Sequence, residues 1–382
     1  MPVHSRHLSV SLSLACGTHH GALHPQVTTG RHEMSPSVHR RRKSRTTKLI
    51  VTGAAAAVAA GGAFAVAGSA LAAKAPRTAG PTAKAAAGFA PYVDTSLSPA
   101  YDLVGTAKKT GVKTFHLAFV TSGGGCVPKW GGSGELGNDA VAKQIPALRA
   151  AGGDVRVSFG GANGSELGVA CGSAGELAAA YGKVIDQFKL TKADFDIEGG
   201  ALPNTAANTR RAQAINRLQK KHPGLDVSFT LPVMPEGLTQ DGVNLLADAK
   251  KNGVKISAVN IMAMDYGPAY SGDMGTYATQ AATATQGQLK KALGLSDAAA
   301  WKTVAVTPMI GVNDVQNEVF RRDDATELVK FARTKHLAWL SMWSSTRDRA
   351  CPGGTGNSAQ PTCSSIEQKP LDFTRAFGAY KG

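Results

Sequence analysis

From Phe89 onward the chain repeats one pattern: an amphipathic helical stretch, a glycine stop, then a short run of β-branched or aromatic residues. The stops read TGVK at 110–113, AGGD at 151–154, PGLD at 223–226 and NGVK at 252–255. Glycine just past a helix end takes the left-handed capping conformation without a Cβ penalty. Eight strand-like runs begin at Phe89, Thr114, Val155, Ala193, Val227, Ala258, Val304 and Leu337, with helical patterns such as 139–151, 174–188 and 325–335 between them. Runs this apolar predict parallel strands buried on both faces. Eight such units within residues 88–382 predict a single α/β domain, a closed (β/α)8 TIM barrel, over an open doubly wound sheet. No G-x-G-x-x-G follows the first run, which weakens a nucleotide-binding fold further.

What precedes the barrel reads as an export leader and a linker. Residues 1–72 carry eight Lys/Arg against one acid, so they hold about half of the chain's net charge of +15. A basic stretch at 40–45 leads into an Ala/Gly-rich apolar run from Leu49 that closes on Ala70-Leu71-Ala72, a small-x-small cleavage pattern. The expectation is secretion, with cleavage near Ala72, through the Sec route or, given the paired arginines, a Tat route. Alanine and glycine are weak membrane formers, so a retained anchor is the lesser reading, and no stable membrane association is expected after cleavage. Met34 makes a more ordinary leader start than Met1. Residues 73–87 are an Ala/Pro/Lys/Thr linker. The barrel region is only mildly basic and lacks aromatic–basic interleaving, so no nucleic-acid partner is expected, and the protein is expected to be a monomer.

Setting aside Cys16 in the leader, four cysteines remain: Cys126, Cys171, Cys351 and Cys363. In an exported chain they predict two disulfides, for which sequence allows three connectivities. Closeness across a Pro/Gly/Ser-rich loop favours Cys351 with Cys363, leaving Cys126 with Cys171. A zinc site fails on spacing: there is no CxxC, and only His116, His222 and His336 follow the leader. No metal or cofactor is expected.

The fourth run, Ala193-Asp-Phe-Asp-Ile-Glu198, carries carboxylates at alternate positions, Asp194, Asp196 and Glu198. A period of two puts all three on one strand face, with Phe195 and Ile197 toward the helices. On an interior barrel strand that face is the lumen, near the C-terminal mouth where such barrels build active sites. A solvated edge strand would explain the alternation equally, but a barrel strand has no edge. Three desolvated carboxylates are costly unless they are paired or share protons. Crowding pushes one pKa upward and can keep Glu198 protonated as a general acid, with Asp196 sharing a proton with Asp194 or turning toward the reacting centre. That chemistry suits glycoside hydrolysis, and scarce histidine leaves Ser/His/Asp and Cys/His mechanisms without candidates.

Here the chain resembles glycoside hydrolase family 18, the chitinases and their relatives. The family's D-x-x-D-x-D-x-E reads Thr191, Asp194, Asp196, Glu198 in this sequence, departing only at the outermost position. Its S-x-G-G matches Ser158-Phe-Gly160-Gly161, its M-x-Y-D is similar to Met262-Ala-Met264-Asp265 followed by Tyr266, and its floor tryptophan falls at Trp343. The resemblance implies a substrate-assisted retaining mechanism on β-1,4-linked N-acetylglucosamine chains. Glu198 would be acid and base, Asp196 would hold the acetamido group, Asp194 would orient Asp196, and Asp265 and Tyr266 would fix the acetamido group. Met264 stands where many relatives have the tyrosine, and a period-two reading lets Tyr266 reach the site from one step farther out. Ser158, Trp343 and Trp130, the last in a Gly-rich loop after the second strand, complete the expected substrate-binding set. Trp339 reads as packing, Arg347-Asp348 as a salt bridge at the mouth, and Gly160 and Gly161 as close-packing positions under the carboxylates. The eleven residues between Met309 and Arg321 leave no room for an inserted α+β subdomain, which predicts an open groove and endo action on soluble chains. Two other readings share these residues: a non-hydrolytic glycan-binding barrel, and an endo-β-N-acetylglucosaminidase acting on glycoprotein glycans.

Overall fold

The computed structural model describes residues 88–382; the leader, the cleavage position near Ala72 and the linker at 73–87 lie outside the described residues. The first barrel strand comes in two pieces, Gly88–Phe89 and Tyr92–Asp94. The next seven are Thr114–Ser122, Asp154–Gly160, Lys192–Asp196, Asp226–Met234, Ala258–Ala263, Val304–Pro308 and Trp339–Leu340. Each pairs in parallel with its sequence neighbours. Gly88–Phe89 lies on the eighth strand while Tyr92–Asp94 lies on the second, which closes the barrel. All eight expected strands are present.

Closure follows from the side-chain alternation. Phe159, Phe195 and Phe229 on the third to fifth strands stack outward, and the first two also pack on Tyr181 of helix Ala174–Phe188. The intervening residues fill the lumen. The glycine stops behave as expected: Gly111, at φ 75°, ends helix Leu103–Thr110 with its N–H on the carbonyl of Ala107. The helix expected at 139–151 is instead a 3₁₀ turn, Ala142–Gln144, running into Ile145–Ala150, because Asp139 caps Ala142 and Pro146 restarts the helix. The helix expected from 325 begins at Arg322, where Asp324 reaches back to the N–H of Arg321.

Between the seventh strand and helix Arg322–Lys335 there is only a small antiparallel hairpin, Gly311–Val312 with Val319–Phe320, so the inserted subdomain is absent. Both disulfides form as expected. Cys126–Cys171 ties the loops after the second and third strands, and Cys351–Cys363 closes a loop after the eighth.

Candidate active site

Asp194 is fully buried and sits in a collar of hydroxyls. Tyr92 Oη and Ser158 Oγ donate to its Oδ2 at 2.9 and 2.7 Å, Ser228 Oγ donates to Oδ1 at 2.5 Å, and Thr230 Oγ1 lies 3.0 and 2.9 Å from its two oxygens. Three strands, the first, third and fifth, supply these groups, and register places Ser158 and Ser228 directly beside Asp194. A carboxylate accepts and the hydroxyls can donate, so the collar satisfies both oxygens of Asp194.

Asp196 stands one layer higher, also buried, and is hydrogen-bonded to Glu198, which lies just past the strand end and is partly exposed. Burial pushes the Asp196 carboxyl well above the ordinary range, with Glu198 and then Asp194 adding to it. Burial raises Glu198 as well, with Asp265 contributing. Two carboxyls in hydrogen-bond contact do not ionise independently, so Asp196 and Glu198 hold a proton between them more tightly than an isolated carboxyl would. Asp196 therefore partners the reacting end and not Asp194. Gly160 makes this stack possible: a Cβ there would sit 1.9 Å from the Asp196 carbonyl oxygen, at φ 108°. At Gly161 a Cβ would meet the Phe119 ring at 2.7 Å.

These acids open into a cleft at the C-terminal mouth whose lining includes the aromatic residues Tyr92, Phe119 and Trp343 and the methionines Met262, Met264 and Met309. Trp343 is partly exposed, stacks on Phe119 with centroids 5.5 Å apart, and meets Tyr92 edge-on, so one indole face is supported while the other borders the cleft. Asp265 also lines the cleft; its Oδ1 accepts from the N–H of Val315 in the hairpin loop at 2.9 Å, and burial raises its carboxyl.

Several expected contacts are corrected. Tyr266 does not line the cleft: Asp265 has φ 51°, the chain turns there, and the buried ring packs on the part-exposed Tyr270 and Tyr277 with its hydroxyl unpartnered. Trp130 is loop packing. Its strand, Pro128–Trp130, folds back on the second strand, its ring packs on Phe188, and its Nε1 donates to the carbonyl of Leu136. Ser158 is fully buried under Asp194 and supports that carboxylate without facing substrate. Arg347 and Asp348 do not pair with each other. Arg347 donates to the carbonyls of Ile310, Val312 and Gln360, while Asp348 accepts from Phe373 and Thr374 at the start of helix Asp372–Phe377. Trp339 packs in the lumen beside His116. Sequence reasoning missed Tyr92, whose inward period on the first strand was a usable signal, and Asp314, a loop residue with none.

No protein-family model matches the chain. It is 40% identical over 311 residues to a probable bifunctional chitinase/lysozyme of Escherichia coli (strain K12), an alignment covering 76% of this chain and 34% of that protein. It is 39% identical over 279 residues to Endochitinase 11 of Metarhizium anisopliae, covering 68% of this chain and 52% of that one. The chain thus spans about a third and about half of the lengths of these curated relatives. Its structure is similar to the catalytic domain of a hyperthermophilic chitinase from Pyrococcus furiosus, with TM-score 0.69 and 36% identity over 76% of this chain and 93% of that one. Catalytic-site mutants of active domain 2 of the thermostable chitinase from the same organism, complexed with chito-oligosaccharides, match with the same TM-score and identity.

Proposed function

The chain belongs to glycoside hydrolase family 18, the chitinases, and on that premise we propose that it hydrolyses β-1,4 bonds between N-acetylglucosamine units by a substrate-assisted, retaining route. One observation carries the mechanism: Asp196 is hydrogen-bonded to Glu198. Retaining glycosidases with a protein nucleophile hold their two carboxyls roughly 5 Å apart, one on each side of the bond. A pair in mutual contact cannot flank the bond, so the nucleophile must come from the substrate, whose 2-acetamido carbonyl lies beside the anomeric carbon.

In this reading a sugar stacks on Trp343 and Glu198 protonates the glycosidic oxygen. The acetamido oxygen attacks the anomeric carbon to give an oxazolinium ion. Asp196, turned to the acetamido N–H, offsets the developing positive charge, and Asp265 steadies the acetamido group without help from Tyr266. Glu198 then takes a proton from the incoming water, which opens the ring with retention. The small hairpin in place of a subdomain favours endo action on soluble chains. The leader pattern and the two disulfides favour secretion, with chitin or its oligosaccharides as partner.

The test is release of a fluorogenic leaving group from a di- or tri-N-acetylchitooligosaccharide by the protein and by Glu198→Gln. Activity should fall by at least about a hundredfold in the variant. Wild-type protein that binds chitin oligomers but releases nothing would reverse the reading to a glycan-binding barrel. Release from glycoprotein glycans alone would make it an endo-β-N-acetylglucosaminidase.

A further inference from the structure

Below the carboxylate stack the barrel lumen holds an arginine. Arg156 is on the third strand, two residues before Ser158 and on the same inward face, and is 2% exposed. Its Nη1 lies 3.2 Å from Ser228 Oγ, 3.2 Å from Asp226 Oδ1 and 3.2 Å from the carbonyl of Ala193, and its Nη2 lies 3.3 Å from the same Asp226 oxygen. The guanidinium sits 4.7 Å from the Trp339 ring centroid. The remaining ionisable groups around it are His116 on the second strand and Lys192 at the foot of the fourth.

A guanidinium has only donors. Toward Arg156, then, the Ser228 oxygen acts as acceptor, and its single proton is left for Asp194 Oδ1 at 2.5 Å. The direction of that hydrogen bond is fixed from below. Tyr92 and Thr230 touch Asp194 as well and accept from the Asn260 amide at 3.3 and 3.1 Å, a neutral donor, and Ser158 donates to Asp194 from the third strand; no cation is bonded to any of these three hydroxyls among the described residues.

We propose that Arg156 is a positioning residue: it turns the Ser228 proton onto Asp194, and Asp194, so held, keeps the shared proton on Asp196 and Glu198. This rests on the reading of Asp196 and Glu198 as the reacting pair, and it explains why a polar chain runs through the lumen to a charge that never meets substrate. The groups facing Asp194 from all neighbouring strands are the three hydroxyls named, Ser228 and the Asp196 carboxyl. Among the described residues, the cation bonded to this collar is Arg156, through Ser228.

The test is the pH dependence of kcat on a soluble chitooligosaccharide. The alkaline limb reports loss of the proton from the Asp196–Glu198 pair. Relieving the Asp194 charge makes that proton easier to lose, so in Ser228→Ala and Arg156→Met the limb should move to lower pH by about one unit. Arg156→Lys, still a cationic donor, should keep the limb near its original place. Should Arg156→Met fail to fold because Asp226 is left without this partner, Ser228→Ala, which spares the Arg156–Asp226 pair, decides alone. A Ser228→Ala protein of unchanged Tm whose limb stays put, with kcat merely scaled, overturns the relay. Failure of the pair itself shows separately, as full activity in Glu198→Gln.

Discussion

The fourth and sixth strands each end by sending an acid into the cleft, and they do it by opposite means. Past Asp196 the backbone stays extended, with Glu198 at φ −142° and ψ −178°, so the alternation of the strand carries on beyond its last ladder bond. Glu198 therefore rises on the same side as Asp196 and meets it. Past Ala263 the chain turns at Asp265, at φ 51°, and the next side chain is thrown into a cluster of tyrosines behind the wall. The first acid is placed by the sheet itself. The second is placed by a turn that the hairpin loop holds from outside, through Val315 N–H on Asp265 and Glu318 Oε1 accepting from Gly267 N–H. An acid held by the sheet is tied to the fold, whereas one held by a turn can be loosened without unfolding the barrel.

That contrast can be broken at its stiffest point first. Gly160→Ala drives a Cβ against the Asp196 carbonyl at positive φ. It should cost about 3 kcal/mol or more in a denaturant melt, and should lower kcat about a hundredfold by tilting the pair. A variant with normal kcat would mean that the third strand does not set the height of Asp196. At the sixth strand, Asp265→Asn should leave Tm within a degree or two and lower kcat/KM about tenfold to a hundredfold. A collapse of Tm there would make Asp265 a structural cap first. The smallest effect is expected one residue on. Tyr266→Phe removes a hydroxyl with no partner on a ring outside the cleft, so kcat/KM should change by no more than about 0.5 kcal/mol in transition-state energy. A tenfold loss would put the tyrosine back in the site.

The same contrast marks what could be read from sequence. The barrel and the three carboxylates were legible because glycine stops and period-two alternation are local rules, and the backbone obeyed them through Glu198. Tyr266 was misplaced because alternation was carried through a residue that leaves the extended region, and nothing in the letters of Met264-Asp265-Tyr266 announces a left-handed aspartate. Trp130 failed for a different reason: a Gly-rich loop folded back as an extra strand, and the pairing that decides it lies across the second strand. Ser158 was placed on the right strand and face but assigned to the wrong neighbour, since register with Asp194 is a property of the assembled sheet. Arg156 and Ser228 are single polar residues in apolar runs, and their link to Asp194 exists only once the third, fourth and fifth strands lie side by side.

The Cys126–Cys171 bond joins the loops that supply Gly131 on one side and Ala162 and Asn163 on the other to the rim of the cleft. With the two Cα atoms held 4.6 Å apart, the width of the groove at that end is a covalent quantity. A chain that folds with its thiols still reduced has its acids in place between two rims free to part. For such a protein, oxidation of that pair is what sets the width of the groove.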